Sequence, residues 1–154
     1  RDDLARQVEL IRNNLIGMKA KNLVMDSYNG VFVSLYDIEK DFTILYFWEP
    51  NCGYCKEVTS KLKTYYEKVK DDGIEVFAIC TIDDKSQWAE YIEKYELIWI
   101  NGWDPERLTH FDFYYNVQAT PMIYILDRDK TIIAKKISVD DISAFIDNYR
   151  KFSM

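Results

Sequence analysis

Thr43-Ile44-Leu45-Tyr46-Phe47-Trp48 runs through Glu49-Pro50-Asn51 into Cys52-Gly53-Tyr54-Cys55 and a lysine-rich segment that begins at Lys56. The first six residues are continuous, apolar and rich in β-branched and aromatic types, which is the make-up of a strand covered on both faces. Pro50 breaks that strand, and Asn51 is placed to cap a helix. In the segment that follows, Cys55, Val58, Leu62, Tyr65 and Val69 recur at alternating spacings of three and four. That rhythm predicts a helix with Cys55 on its buried stripe and Cys52 at its exposed start. Two thiols one turn apart can interchange between dithiol and disulfide without large movement. The unpaired N–H groups and dipole of the helix start favour a thiolate at Cys52, and hence a nucleophile. An exposed thiol that attacks and a sheltered one that resolves is the expected division of labour.

Asp71-Asp72-Gly73 closes this helix, and Ile74 to Ile82 reads as a second buried strand. The unit is βαβ, with the cysteines at the C-terminal edge of the first strand, where sites form in open α/β sheets. Upstream, Leu23 to Met25 and Val31 to Ser34 flank Asn29-Gly30, a dipeptide suited to a tight hairpin. Ahead of the hairpin, Leu4, Val8, Ile11 and Leu15 draw one helical stripe over residues 2–16, with Gly17 as its stop. Residues 1–16 are thus an edge helix or the tail of a preceding domain, and 17–154 form the main domain. Downstream, Ser86 is placed to cap a helix bearing Trp88, Tyr91, Ile92 and Tyr95. Asp104-Pro105-Glu106 predicts another helix start, with Leu108, Phe111 and Tyr115 inward. Thr120-Pro121 leads into Met122 to Leu126, a turn at 127–130 and a strand from Thr131 to Ile137, which a link so short makes antiparallel. A final helix carries Ile142, Phe145, Ile146 and Tyr149, with Asp140 and Asp141 at its start and Arg150 and Lys151 at its end. The class is α/β, in the order α, hairpin, βαβ, two helices, ββα.

A chain of 154 residues, 48% hydrophobic, buries a full core without cross-links. Twenty basic against 26 acidic residues leave a net charge of -6, which argues against nucleic acid as a partner. Three cysteines are too few for a disulfide scaffold. No apolar run approaches the roughly 18 residues needed to cross a bilayer. Arg1 in place of an initiator Met points to a piece of something longer, with an export signal, membrane anchor or further domain ahead of it.

Phe47-Trp48-Glu49-Pro50-Asn51-Cys52-Gly53-Tyr54-Cys55-Lys56, followed by Ala119-Thr120-Pro121 opening a β-hairpin, resembles the thioredoxin superfamily. The N-terminal ribbon and an insertion over 88–116 resemble its TlpA/ResA branch of bacterial extracytoplasmic thiol-disulfide oxidoreductases. The resemblance implies a thioredoxin-like fold: a central mixed β-sheet flanked by helices, with an N-terminal helix and β-hairpin extension. It implies that Cys52 attacks a substrate disulfide and that Cys55 resolves the mixed disulfide. Pro121 would be cis and would present the Thr120 backbone as a docking edge. Trp48 would pack beneath the active-site loop, and with Thr120, Pro121 and Tyr54 would form the substrate-docking set. No cofactor is implied beyond the redox-active disulfide. The partners implied are a protein thiol or disulfide substrate and an upstream electron donor such as a membrane thiol carrier, in the bacterial periplasm or cell envelope. The pattern is broken in places. Tyr46 stands where the superfamily often has a buried Asp. Val58 stands where the branch often has a Glu, which leaves Glu57 as the candidate proton acceptor. Lys130 replaces the customary glycine of the hairpin turn, so Asp129 is expected to take the unusual backbone angles.

Cys52, Cys55, Cys80 and His110 together could also make a zinc site, but Cys80 falls in a buried strand and there is no second close ligand pair. Cys80 reads as a core thiol and His110 as an ordinary helix residue. Trp88, Trp99 and Trp103 read as core, with a substrate groove as the sharper alternative. Two rival functions remain open to test. One is a non-catalytic module holding Cu(I) or a partner protein through its thiolates. The other is a thiol peroxidase, although Pro50 stands where peroxiredoxins place a Thr.

Overall fold

The computed structural model describes residues 14–153, and the helix expected over 2–16 falls outside them except for its last three positions. Seven strands form one mixed sheet. They are β1 (Val24–Ser27), β2 (Phe32–Ser34), β3 (Phe42–Trp48), β4 (Ile74–Cys80), β5 (Ile100–Trp103), β6 (Met122–Asp127) and β7 (Ile132–Lys135). Their order across the sheet is β2-β1-β5-β4-β3-β6-β7. Among the described residues four α-helices accompany them: α1 (Gly53–Val69), α2 (Lys85–Tyr95), the single turn α3 (Phe111–Tyr114) and α4 (Ile142–Ser153).

Every residue of β3 is buried, as a central strand requires. Alternation sends Phe42, Ile44, Tyr46 and Trp48 into one layer, with Cys55, Val58 and Leu62 of α1, Trp88 and Ile92 of α2, and Ile142 and Ile146 of α4. Leu45 and Phe47 enter the opposite layer with Leu23, Leu35, Phe111, Tyr115 and Tyr124. β3 runs parallel to β4 and antiparallel to β6. The C-terminal end of β3 therefore meets the N-terminal end of β6, with Phe47 opposite Met122. This register brings the cysteine loop and the Thr120-Pro121 segment to one edge.

Several elements depart from the sequence reading. Ile100–Trp103 is a strand, parallel to β4 and antiparallel to β1, which joins the hairpin to the main sheet. Its Gly102 sits where a Cβ would come within 2.6 Å of Phe77 Cε1 and 2.7 Å of Met25 Sδ. The helix expected from Asp104 does not form. The buried Asp104 carboxylate accepts from the N–H groups of Leu108 and Thr109, both at 2.9 Å, and folds 104–109 into turns instead. Leu108, expected inward, is 75% exposed. The cap of α2 is Asp84, which accepts from Gln87 N at 3.1 Å, rather than Ser86. In the β6–β7 turn it is Lys130, at φ 68°, that takes the left-handed conformation expected of Asp129. Its buried ammonium donates to the Ile38 carbonyl at 2.6 Å and the Arg128 carbonyl at 3.2 Å, and these bonds offset the backbone cost.

Candidate active site

The N-cap of α1 is Cys52 itself, not Asn51. Cys52 has extended backbone angles, φ -82° and ψ 115°, and its Sγ accepts from Cys55 N at 3.1 Å. Asn51 turns away, its amide donating to Gln87 Oε1 at 2.8 Å. The attacking-thiol candidate is thus a sulfur pointed at the free N–H groups of a 17-residue helix, where negative charge is favoured. On its other side the Cys52 thiol donates to the Thr120 carbonyl at 3.5 Å. The Thr120–Pro121 peptide bond is cis.

Cys52 is partly exposed and Cys55 wholly buried, and both are free thiols. Burial pushes the Cys55 thiol up to about 12, and the adjacent Cys52 thiol adds to the rise. The Glu49 backbone and the Thr120 side chain act in the opposite sense. Beneath Cys55, the Tyr46 hydroxyl donates to the Cys55 carbonyl at 3.3 Å and pairs with Thr59 Oγ1 at 2.8 Å. Burial also raises the Tyr46 phenol, so it is neutral at physiological pH. This hydroxyl pair was missed in the sequence, although Thr59 lies four residues after Cys55 and so on its helix face.

The remaining predicted residues divide. Tyr54 is 59% exposed and, with Pro121, Val58, Met122, Ile137 and Val139, lines a groove of about 420 Å³ beside the cysteines. Trp48 is fully buried with its ring against Tyr91, centroids 5.0 Å apart, so it presents no surface for docking. Its place in the core follows from the strand's alternation. Glu57 lies on the solvent face of α1, its side chain 58% exposed and its carboxylate 3.5 Å from Lys61 Nζ, and the structure does not bring it to Cys55. Val58, one residue on, occupies the inward position. Cys80 is buried opposite Trp48 in the sheet, and burial pushes its thiol up to about 12. His110 is exposed just before α3. Trp88 and Trp99 are core residues and Trp103 packs against the same core. Among the described residues no group of three or more His, Cys, Asp or Glu side chains could hold a metal ion. No described helix is long and apolar enough to cross a membrane.

The model of the AhpC/TSA family matches residues 16–135. The chain belongs to the AhpC/TSA family. Among curated proteins, this AhpC/TSA chain is 25% identical over 122 residues to a thiol-disulfide oxidoreductase ResA of Bacillus cereus, covering 79% of the chain and 69% of the relative. The protein of the same name in Bacillus subtilis is 23% identical over 117 residues, 76% of the chain and 64% of the relative. Among solved structures, a domain of a "possible thiol-disulfide isomerase" from Cytophaga hutchinsonii is 36% identical at a TM-score of 0.83, covering 89% of this chain and 94% of that one. A thioredoxin-like protein from Bacteroides caccae is 25% identical at a TM-score of 0.84, over 96% of this chain and 55% of that one. The AhpC/TSA chain is accordingly a thioredoxin-like enzyme of the thiol-disulfide oxidoreductase class.

Proposed function

We propose that the chain reduces protein disulfides by cycling Cys52 and Cys55 between dithiol and disulfide, with residues 17–154 as the catalytic unit. The observation that carries this is the unequal placement of the two sulfurs, one capping a helix at the surface and the other buried a turn later. The Cys52 thiolate attacks one sulfur of the substrate disulfide and the other leaves as a thiolate, which takes a proton. Cys55, on losing its proton, attacks Cys52 Sγ and releases the second substrate thiol. Two electrons have then passed to the substrate and the 52–55 disulfide remains, to be reduced by an upstream dithiol carrier. The Thr120 backbone, already in contact with Cys52, serves as the edge on which an extended substrate segment docks, with Tyr54 and Pro121 beside it. The reading places the enzyme in the bacterial cell envelope.

The test is a pair of variants in a protein-disulfide reduction assay with dithiothreitol as donor. Cys52→Ala abolishes reduction, and Cys55→Ala forms a mixed disulfide with substrate that persists on a non-reducing gel. Full activity in Cys52→Ala, Cu(I) retention without turnover, or consumption of peroxide in place of disulfide overturns the reading.

A further inference from the structure

Two clefts of opposite charge adjoin the segment that carries the Thr120 carbonyl. The groove of about 420 Å³ beside Tyr54 is walled largely by apolar side chains, and the exposed Lys136 is the one charged residue among those lining it. Among the described residues no carboxylate stands within ion-pair distance of Lys136. Asp140, next to the lining residue Val139, is 3.0 Å from Lys61 and already paired. A second cleft, of about 220 Å³, shares Gln118 and Ala119 with the groove, and both of these residues are exposed. This cleft holds Glu49 and the exposed Asp112 against a single cation, Arg107. The Arg107 guanidinium donates to the Asp104 carbonyl at 3.2 Å and to the Thr81 carbonyl, and lies 4.8 Å from the Phe111 ring centroid. It is held by backbone and ring rather than by either carboxylate, and the cleft keeps an excess of negative charge. Residues 118–120 thus form a ridge with a cation and apolar walls on one side and carboxylates on the other.

We propose that the preferred substrate is an extended protein segment of split charge. One flank of its cysteine carries an apolar residue with an acidic neighbour, seated in the Tyr54 groove at Lys136, and the other flank carries a basic residue, over Glu49 and Asp112. The inference rests on the disulfide-reducing reading above, and it makes Lys136 and Asp112 residues that set specificity. The Cys52 thiol donates to the Thr120 carbonyl, so a segment that crosses the ridge with its own cysteine at Cys52 has one flank over each cleft. Seated in this direction both flanks meet opposite charge, and reversed they both meet like charge. The reversed segment also takes its apolar residue out of the groove that can cover it. Direction along the ridge is thereby chosen by charges that do not touch the reacting sulfurs.

The test uses two peptides of mirrored order, one with leucine and aspartate before its cysteine and lysine after it, the other with lysine before and aspartate and leucine after. Each cysteine is supplied as its mixed disulfide with 2-nitro-5-thiobenzoate. The Cys52 thiolate attacks the peptide sulfur, a Cys52–peptide disulfide forms, and 2-nitro-5-thiobenzoate leaves with the electron pair as the thiolate whose absorbance is read. Second-order rates are measured with the reduced full chain as wild type, Lys136→Glu, Asp112→Lys and the double variant. The ratio of the two peptides within one protein cancels any change in Cys52 itself. In wild type one order should react at least about fivefold faster than its mirror at low salt, and the ratio should fall toward one at high salt. Replacing leucine by glycine should slow the favoured peptide about threefold. Each single variant, at an exposed position, should lower the ratio, and the double variant should invert it. Equal rates for the two orders in wild type, a ratio insensitive to salt, no loss on removing leucine, or a preference unchanged in the charge variants overturns the proposal. If Cys52→Ala releases 2-nitro-5-thiobenzoate as fast as wild type, it is the disulfide-reducing reading that has failed, and the substrate preference with it.

Discussion

The two cysteines are three positions apart in sequence and occupy opposite kinds of surroundings. Cys52 is held by backbone: its sulfur accepts from Cys55 N and donates to the Thr120 carbonyl, at a surface a partner can reach. Cys55 is held by burial and by the Tyr46 hydroxyl, which donates to its carbonyl and pairs with Thr59. The difference arises because a helix start is amphipathic in electrostatics as well as in hydrophobicity. Its first residue collects the unpaired N–H groups, and the residue one turn on joins the buried stripe. One local structure therefore supplies both a sulfur at the helix start, open to a partner, and a protected thiol.

The contrast is broken most directly by alkylation. In the reduced native protein, iodoacetamide should modify Cys52 at least about a hundredfold faster than Cys55 or Cys80, since the thiolate is the reacting form and the latter two are buried. Peptide mapping by mass spectrometry checks this, and equal labelling of positions 52 and 55 would erase the distinction. A second measurement sharpens it. The Cys55 thiol is raised from 9.0 to about 12 in the folded protein, so between those values the folded state holds a proton that the unfolded state has released. The resulting stability is fully present below about pH 9 and is lost as pH rises toward 12. Cys80 is raised in the same way but takes no part in the proposed 52–55 disulfide. The stability of the reduced protein minus that of the oxidised protein, from urea unfolding, should therefore fall over this window, and a flat difference would contradict the assignment. The smallest effect touches the Cys52 side alone. Tyr54→Ala removes an exposed wall of the groove and should raise KM for a protein disulfide about threefold, leaving the reaction with dithiothreitol unchanged.

Much of this edge was legible because its signals are local. The apolar run before Pro50, the three-four rhythm after Cys52 and the Asn29-Gly30 hairpin each follow from a few adjacent residues, and β3, α1 and the β1–β2 pair lie where they were expected. The misses share a cause, which is side chains used by distant parts of the chain. Asp104 looks like a helix cap until its carboxylate is seen closing a turn over Leu108 and Thr109. Ile-Asn-Gly-Trp is a poor strand by propensity, yet Gly102 is the residue that admits Phe77 and Met25 against β5. Lys130 takes a glycine's backbone angles because Ile38, 92 positions away, receives its ammonium. The buried stripe of α1 runs through Tyr66 where the spacing suggested Tyr65. Within the site, the shift by one residue between Glu57 and Val58 decided which side chain faces inward, as a rotation of about 100° per residue requires.

The Cys52 cap also ties folding to electron transfer. The sulfur that accepts from Cys55 N is the one that, in the proposed cycle, becomes a disulfide sulfur on oxidation. Reduction and unfolding can be joined in a closed thermodynamic cycle, so any free energy by which this cap favours the folded dithiol over the folded disulfide appears in full in the reduction potential. A side-chain cap contributes about 1 kcal/mol, which for two electrons amounts to ~20 mV toward a more oxidising couple. A substitution that changes how well the start of α1 is capped would therefore change, together and in fixed proportion, how firmly the reduced protein holds its fold and how strongly it gives up electrons.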